Sequence, residues 1–219
     1  YIVTLEVSGV TEKLKKSMLF GKVDKVFFKL YWLNDGRRGV EVYGLPAGFK
    51  EIKNKLRLSM VDKIEFISPT PLEIKSKGYQ IRKRNDGYLL VDESGKKAVN
   101  SYLYYFNTNG VLSRTIYTAS MGTVENNYDY KNLEGELYIL NRATTKITQG
   151  KALTKIVKDI TYNKIKNFSL PSKVKISVFE KIPSEETGEF IQNKSESFII
   201  FRDYQINSND VVKWFLSQK

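Results

Sequence analysis

The amino-acid sequence predicts a mainly β (α+β) protein: a single large curved antiparallel sheet, or an open half-barrel, with two or three short helices as a lid. Three observations lead there. Turn-forming clusters recur at short intervals: "NDG" at Asn34–Gly36 and Asn85–Gly87, "ESGK" at Glu93–Lys96, "NTNG" at Asn107–Gly110 and "SMG" at Ser120–Gly122. Glycine and asparagine accept the positive φ of tight hairpins, so each cluster reads as a chain reversal. The runs between them ("YQIRKR", "GYLLVD", "SYLYYFN", "VLSRTIYT", "GELYILNR", "KVKISVFEK", "ESFIIFRDYQI") are rich in Tyr, Ile, Val, Phe and Thr and favour a period of two. Helical spacing is confined to a few short stretches. Strands joined in succession by short turns make an antiparallel meander.

In chain order, "YIVTLEV" opens as an apolar strand. Thr11–Phe20 then starts with a capping residue and puts Leu14, Met18 and Leu19 on nearly one side of a short helix. Asp24–Pro46, "DKVFFKLYWLNDGRRGVEVYGLP", reads as two strands joined by a tight turn. Val26, Phe28, Leu30 and Trp32 point one way; Phe27, Tyr31 and Leu33 point the other, with Lys29 between them. A strand with one wet face alternates apolar and polar, so this strand is covered on both faces. "SYLYYFN" repeats the pattern, with Tyr102, Tyr104 and Phe106 opposite Leu103 and Tyr105, and "SFIIFRD" does so again. The second cover is a lid of short helices, the sheet curling upon itself, or a ligand.

Ala47–Met60 places Phe49, Ile52 and Leu56 on a helical stripe, and Ser68–Leu72, "SPTPL", is a proline kink. Gln149–Tyr162 fits both periods and is read as strand. Asn207–Gln218 forms a C-terminal helix capped by Ser208 or Asn209. No internal repeat or low-complexity linker divides the chain, which is read as a single domain over residues 1–219.

Composition narrows the chemistry. The chain has no cysteine and no histidine, which removes disulfides, thiolate catalysis, histidine triads and histidine zinc sites. Its 36 Lys and Arg against 24 Asp and Glu give a net charge of +12, dispersed along the chain. Such a field favours polyanions or anionic membrane surfaces as partners, or serves only to keep the surface solvated. No run of about 18 apolar residues occurs to span a bilayer as a helix. Because the chain opens at Tyr1 inside a strand, a removed targeting segment is expected.

No motif assembles a catalytic site. Gly44–Gly48 lacks the Lys-Ser/Thr of a phosphate loop and the glycine fingerprint of a dinucleotide site. "EETGE" at Glu185–Glu189 reads as a solvated hairpin tip. "YQIRKRNDGY" (Tyr79–Tyr88) and "YNKIKNF" (Tyr162–Phe168) interleave basic and aromatic residues, the pattern of a nucleic-acid surface, without the glycine-aromatic core of an RNA-recognition strand. The expectation is a protein that is not an enzyme, with no catalytic residues, metal or cofactor.

The C-terminal third, "LPSKVKISVFEK…SESFIIFRDYQINSNDVVKWF", resembles the periplasmic lipoprotein-carrier superfamily (LolA/LolB-like proteins). Pro171 to Ile176 and Phe201 to Asn207 are similar to the late strands of that family's open barrel. The resemblance implies a half-barrel whose concave apolar face and helical lid hold acyl chains. The family's early proline-arginine-tryptophan strand has no counterpart here, so its ligand residues are not carried over.

The strand pattern supplies candidates instead. Phe28, Leu30, Trp32, Tyr104 and Phe106 are expected to line the apolar face, with Arg82 and Arg84 at its mouth to meet an anionic head group. The expected function is a non-enzymatic, extracytoplasmic carrier for lipid-like or acylated ligands, periplasmic or envelope-associated. Its partners would be an anionic membrane surface or envelope lipoproteins, with nucleic acid the weaker expectation. The alternative is a basic β-rich module that binds an anionic polymer, nucleic acid or polysaccharide.

Overall fold

The computed structural model describes residues 1–16, 23, 25–33, 35–64, 76–96, 99–108, 110–119, 122–133, 137–184 and 187–217. The proline kink at Ser68–Leu72, the far end of the first predicted helix, Asn34, Asn109, Ser120, Met121, Glu185 and Glu186 lie outside them.

The chain is mainly β. Its strands are β1 (Ile2–Val7), β2 (Phe27–Trp32), β3 (Arg38–Tyr43), β4 (Gln80–Arg84), β5 (Gly87–Val91), β6 (Val99–Phe106), β7 (Leu112–Ala119), β8 (Gly122–Leu133), β9 (Leu137–Gln149), β10 (Ala152–Ile165), β11 (Phe168–Pro183) and β12 (Phe190–Gln205). Among the described residues three helices accompany them: α1 (Val10–Lys16), α2 (Lys50–Ile64) and α3 (Asn209–Ser217). All twelve strands join one antiparallel sheet in the order β3-β2-β1-β12-β11-β10-β9-β8-β7-β6-β5-β4, which is not closed into a barrel. From β4 to β12 it is the meander that the turn clusters predict. The ambiguous stretch at Gln149–Tyr162 is strand, within β10.

Contacts gather the chain into two compact units. The first comprises Tyr1–Pro71, Thr161–Val174 and Ser197–Lys219; the second comprises Leu72–Ile160 and Lys175–Glu196.

In the first unit β2 is central, flanked by β1 and β3. Residues opposite each other on neighbouring strands share a face. The register pairs Val3 with Leu30, Leu5 with Phe28, Phe28 with Val42 and Leu30 with Val40, and continues from Leu5 to Phe201 and Val7 to Ile199. All of these side chains are buried. Helix α2 packs against β3 and adds Met60 and Ile64 to the buried set. Each such side chain contributes about 1.5–3 kcal/mol by burial. The turn that ends β3 depends on Gly44, whose φ is +83° and where a Cβ would lie 1.8 Å from the Lys25 carbonyl oxygen.

The opposite face of β2 carries Phe27, Lys29 and Tyr31, aligned with Tyr43, Glu41 and Gly39. Helix α3 covers it. Val211, Trp214 and Phe215 follow helical spacing and pack with Ile2, Tyr31 and Leu33. The Trp214 ring stacks on Tyr31 at 4.4 Å and 7°, and it lies over Gly39, where a Cβ would come within 2.2 Å of it. Its indole N–H donates to Glu41 Oε2 at 3.3 Å; Tyr43 and Tyr31 hydroxyls donate to the same oxygen at 2.6 and 3.2 Å. At Phe28, Leu30 and Tyr31 both faces of the strand are therefore covered by the chain itself. Of the two capping residues expected, Ser208 caps α3, its Oγ accepting from the Asp210 N–H at 3.3 Å.

The second unit holds β4 to β9 with parts of β10, β11 and β12, and none of the three helices. Its register aligns Leu90, Tyr102, Tyr117, Val124, Ile147 and Thr154 in one cross-strand row. Tyr102 is the hub of that face, with ring contacts to Tyr79, Tyr104 and Tyr117 at 5.6, 6.0 and 5.2 Å.

Candidate ligand-binding site

The structure divides the residues expected to line an apolar site. Phe28 and Leu30 are 1% and 0% exposed, closed in by Leu5, Val3, Val42 and Val40. They are packed core, and a ligand reaching them would displace the chain's own side chains. Trp32, at the end of the same strand, borders open space.

In the second unit Tyr104 is 7% exposed and shares a face with Tyr102 and Tyr88. Phe106 meets Tyr88 edge-on at 5.8 Å. Arg82 pairs across the ladder with Leu89, which pairs with Leu103, so it lies on the face opposite Tyr104; its guanidinium binds Glu93 at 2.6 Å. Arg84 binds Asp86 at 3.3 Å and joins Phe106, Lys83 and Tyr88 around a shallow depression at the hairpin turn. The cation that the register places on the Tyr104 face is Lys83. Alternation along "QIRKR" assigns it there, although the two arginines are the more conspicuous residues.

The apolar pocket that contains a predicted residue belongs to the first unit. It measures about 500 Å³ and is walled by Tyr1, Trp32, Leu33, Phe168, Leu170, Ile206, Val211 and Val212, with Asn207, Ser208 and Asn209 along one side. Each wall has a local cause. Trp32 is the last residue of β2 and meets the Tyr1 ring edge-on at 4.9 Å. Phe168 and Leu170 open β11 after the turn at Lys166, whose φ is +55°. Asn207 adopts φ +57°, a conformation asparagine tolerates, and so redirects the chain from β12 into α3. Phe168 and Val212 are each 49% exposed and form an apolar rim.

One fixed hydrogen bond steadies the region: the Tyr204 hydroxyl donates to the Pro171 carbonyl at 2.6 Å. Burial, and secondarily the nearby Tyr162 phenol, raise the Tyr204 pKa, which keeps the hydroxyl protonated and donating.

Phe168, Leu170, Ile206 and Val212 were not singled out by sequence reasoning as one site. They come from the start of β11, the end of β12 and α3, and no local period links them. Their apolar positions beside Lys166 and Asn207 are the only sequence signal.

Among the described residues no group of three or more acidic side chains converges to hold a metal ion. No described helix is long and apolar enough to cross a membrane. Comparison with protein-family models, with curated proteins and with solved structures finds no match to this chain.

Proposed function

We propose that the protein is a non-enzymatic binding or carrier protein for an apolar, acyl-like ligand held in the pocket beside Trp32. The observation that carries the reading is the pocket's construction. Its lining is mostly apolar, its rim exposes Phe168 and Val212, and a few polar groups come from Tyr1 and Asn207–Asn209. Binding pockets of roughly 300–1,000 Å³ with apolar walls and a few convergent polar groups are the usual form of a small-ligand site. An alkyl chain would lie against Trp32, Leu170 and Ile206, and its polar end would meet the asparagines and water. The reading carries with it the envelope setting and acylated partners implied by the resemblance to periplasmic lipoprotein carriers.

Native mass spectrometry of the purified protein, followed by organic extraction, tests this. The expected result is a species heavier than the 25.3 kDa chain that releases an acyl compound on extraction. A bare chain that also fails to bind a fluorescent fatty acid contradicts the proposal.

A further inference from the structure

We propose a second binding site, for single-stranded nucleic acid, in the groove formed by β10, β11 and β12 of the second unit. The groove measures about 590 Å³, and Leu153, Lys155, Phe179, Lys181, Gln192 and Lys194 line it. Lys155 stands directly opposite Lys146 in the β9–β10 ladder. Like charges in that relation repel; Lys146 faces Glu125 on its other side, while Lys155 makes no ion pair among the described residues. Lys181 Nζ sits 4.2 Å from the centre of the Phe190 ring, and Lys194 Nζ sits 5.4 Å from that of Phe179.

The rings remain accessible, Phe179 at 40% and Phe190 at 43% exposure. Glu196 is engaged by Lys175 at 3.0 Å and lies 3.8 Å from Lys194. Glu180 also borders the groove.

Lysines that alternate with exposed rings on a sheet face combine two demands of a single strand: cations for successive phosphates and flat surfaces for unpaired bases. Lysine ammonium groups on flexible stems can leave the phenyl faces for phosphate oxygens and free the rings for stacking. Three lysines against the single Glu180 leave the groove net positive, which complements a polyanion, and the accessible phenyl rings favour one that carries unpaired bases over a bilayer surface. The site is independent of the Trp32 pocket.

Fluorescence anisotropy with a labelled twelve-nucleotide oligouridylate provides the test. Engagement of three phosphates predicts a log–log salt slope of about −2, a roughly 20-fold loss of affinity between 50 and 200 mM salt. The double variant Lys155→Glu/Lys194→Glu should lose at least tenfold in affinity and flatten that slope. Phe179→Ala/Phe190→Ala should lose about tenfold with the slope retained, as expected when stacking is removed. Circular dichroism verifies that these surface variants fold. Three results would each overturn the proposal: no binding at 50 mM salt, wild-type affinity in the lysine variant, or wild-type affinity for the oligouridylate in the phenylalanine variant.

Discussion

Gly39→Ala is a one-methyl change whose effect is fixed by a single side chain. Gly39 lies in β3 with α3 above it, and an added Cβ would meet Trp214 Cη2 at 2.2 Å and Cζ3 at 2.3 Å. Ordinary contact begins near 3.4 Å, so the indole must retreat by more than an ångström. That retreat breaks its 4.4 Å stack on Tyr31 and its 3.3 Å hydrogen bond to Glu41. Removing a buried Trp side chain costs about 3–5 kcal/mol; Trp214 is only partly buried, so Trp214→Ala should cost about 3 kcal/mol. Undocking the ring caps the cost of Gly39→Ala, which should therefore be about 2–3 kcal/mol. For a chain of this size that is a fall in Tm of roughly 5–10 °C.

The decisive assay is a double-mutant cycle in urea. With Trp214 already alanine, Gly39→Ala meets no obstacle and should be neutral or slightly stabilising, since alanine loses less backbone entropy than glycine. The coupling should therefore be about 2 kcal/mol. Equal destabilisation by Gly39→Ala in both backgrounds would refute the account of why glycine stands there.

Other outcomes follow from the same contacts. Glu41→Gln removes the charge that accepts from Tyr31, Tyr43 and Trp214. It should cost about 1.5–3 kcal/mol, toward the lower figure because the amide oxygen still accepts, and denaturant unfolding measures it. Burial first, and then hydrogen bonds to Glu41 and Tyr31, raise the Tyr43 pKa above its ordinary value. Above pH 10 the unfolded chain therefore releases a proton that the folded one retains, so stability is fully present below about pH 10 and falls as pH rises beyond it. Tyr43→Phe should make that alkaline decline shallower in a urea series from pH 8 to 11, and an unchanged slope would contradict the assignment. Arg142 binds Asp159 at 2.5 Å on an exposed part of the sheet; Arg142→Ala should change stability by under about 1 kcal/mol.

The sheet was legible because its turns are chemically explicit. Asn85-Asp86 closes β4 onto β5, and Gly110 turns with φ +72° between β6 and β7. β8 was missed. "GTVENNYDYKNL" carries Glu, Asp and three Asn, residues depleted in strands. Its neighbours β7 and β9 decide its conformation, and side chains such as Asn126 find partners across the ladder in Thr115 and Thr145.

The two-faced character of β2 was also legible, but not what covers it. Alternation says that Tyr31 and Phe28 face different ways. It does not say that Trp214, far along the chain, stacks on one of them, because that contact depends on long-range topology. The candidate site was legible only at Trp32. Leu30 and Phe28 lie on the same face one and two periods earlier, and only depth along the strand separates core from pocket.

The pocket beside Trp32 is tested most directly by tryptophan quenching. The chain has two tryptophans, of which Trp32 lines the pocket and Trp214 packs from α3 onto Tyr31. In a Trp214→Phe variant, which keeps the aromatic stack, Trp32 is the sole reporter. Titration with a brominated fatty acid should quench its emission saturably, and Val212→Glu at the rim should weaken the effect at least tenfold. Emission that stays constant through the titration, in a variant shown to be folded, would contradict the proposal that this pocket holds an acyl ligand.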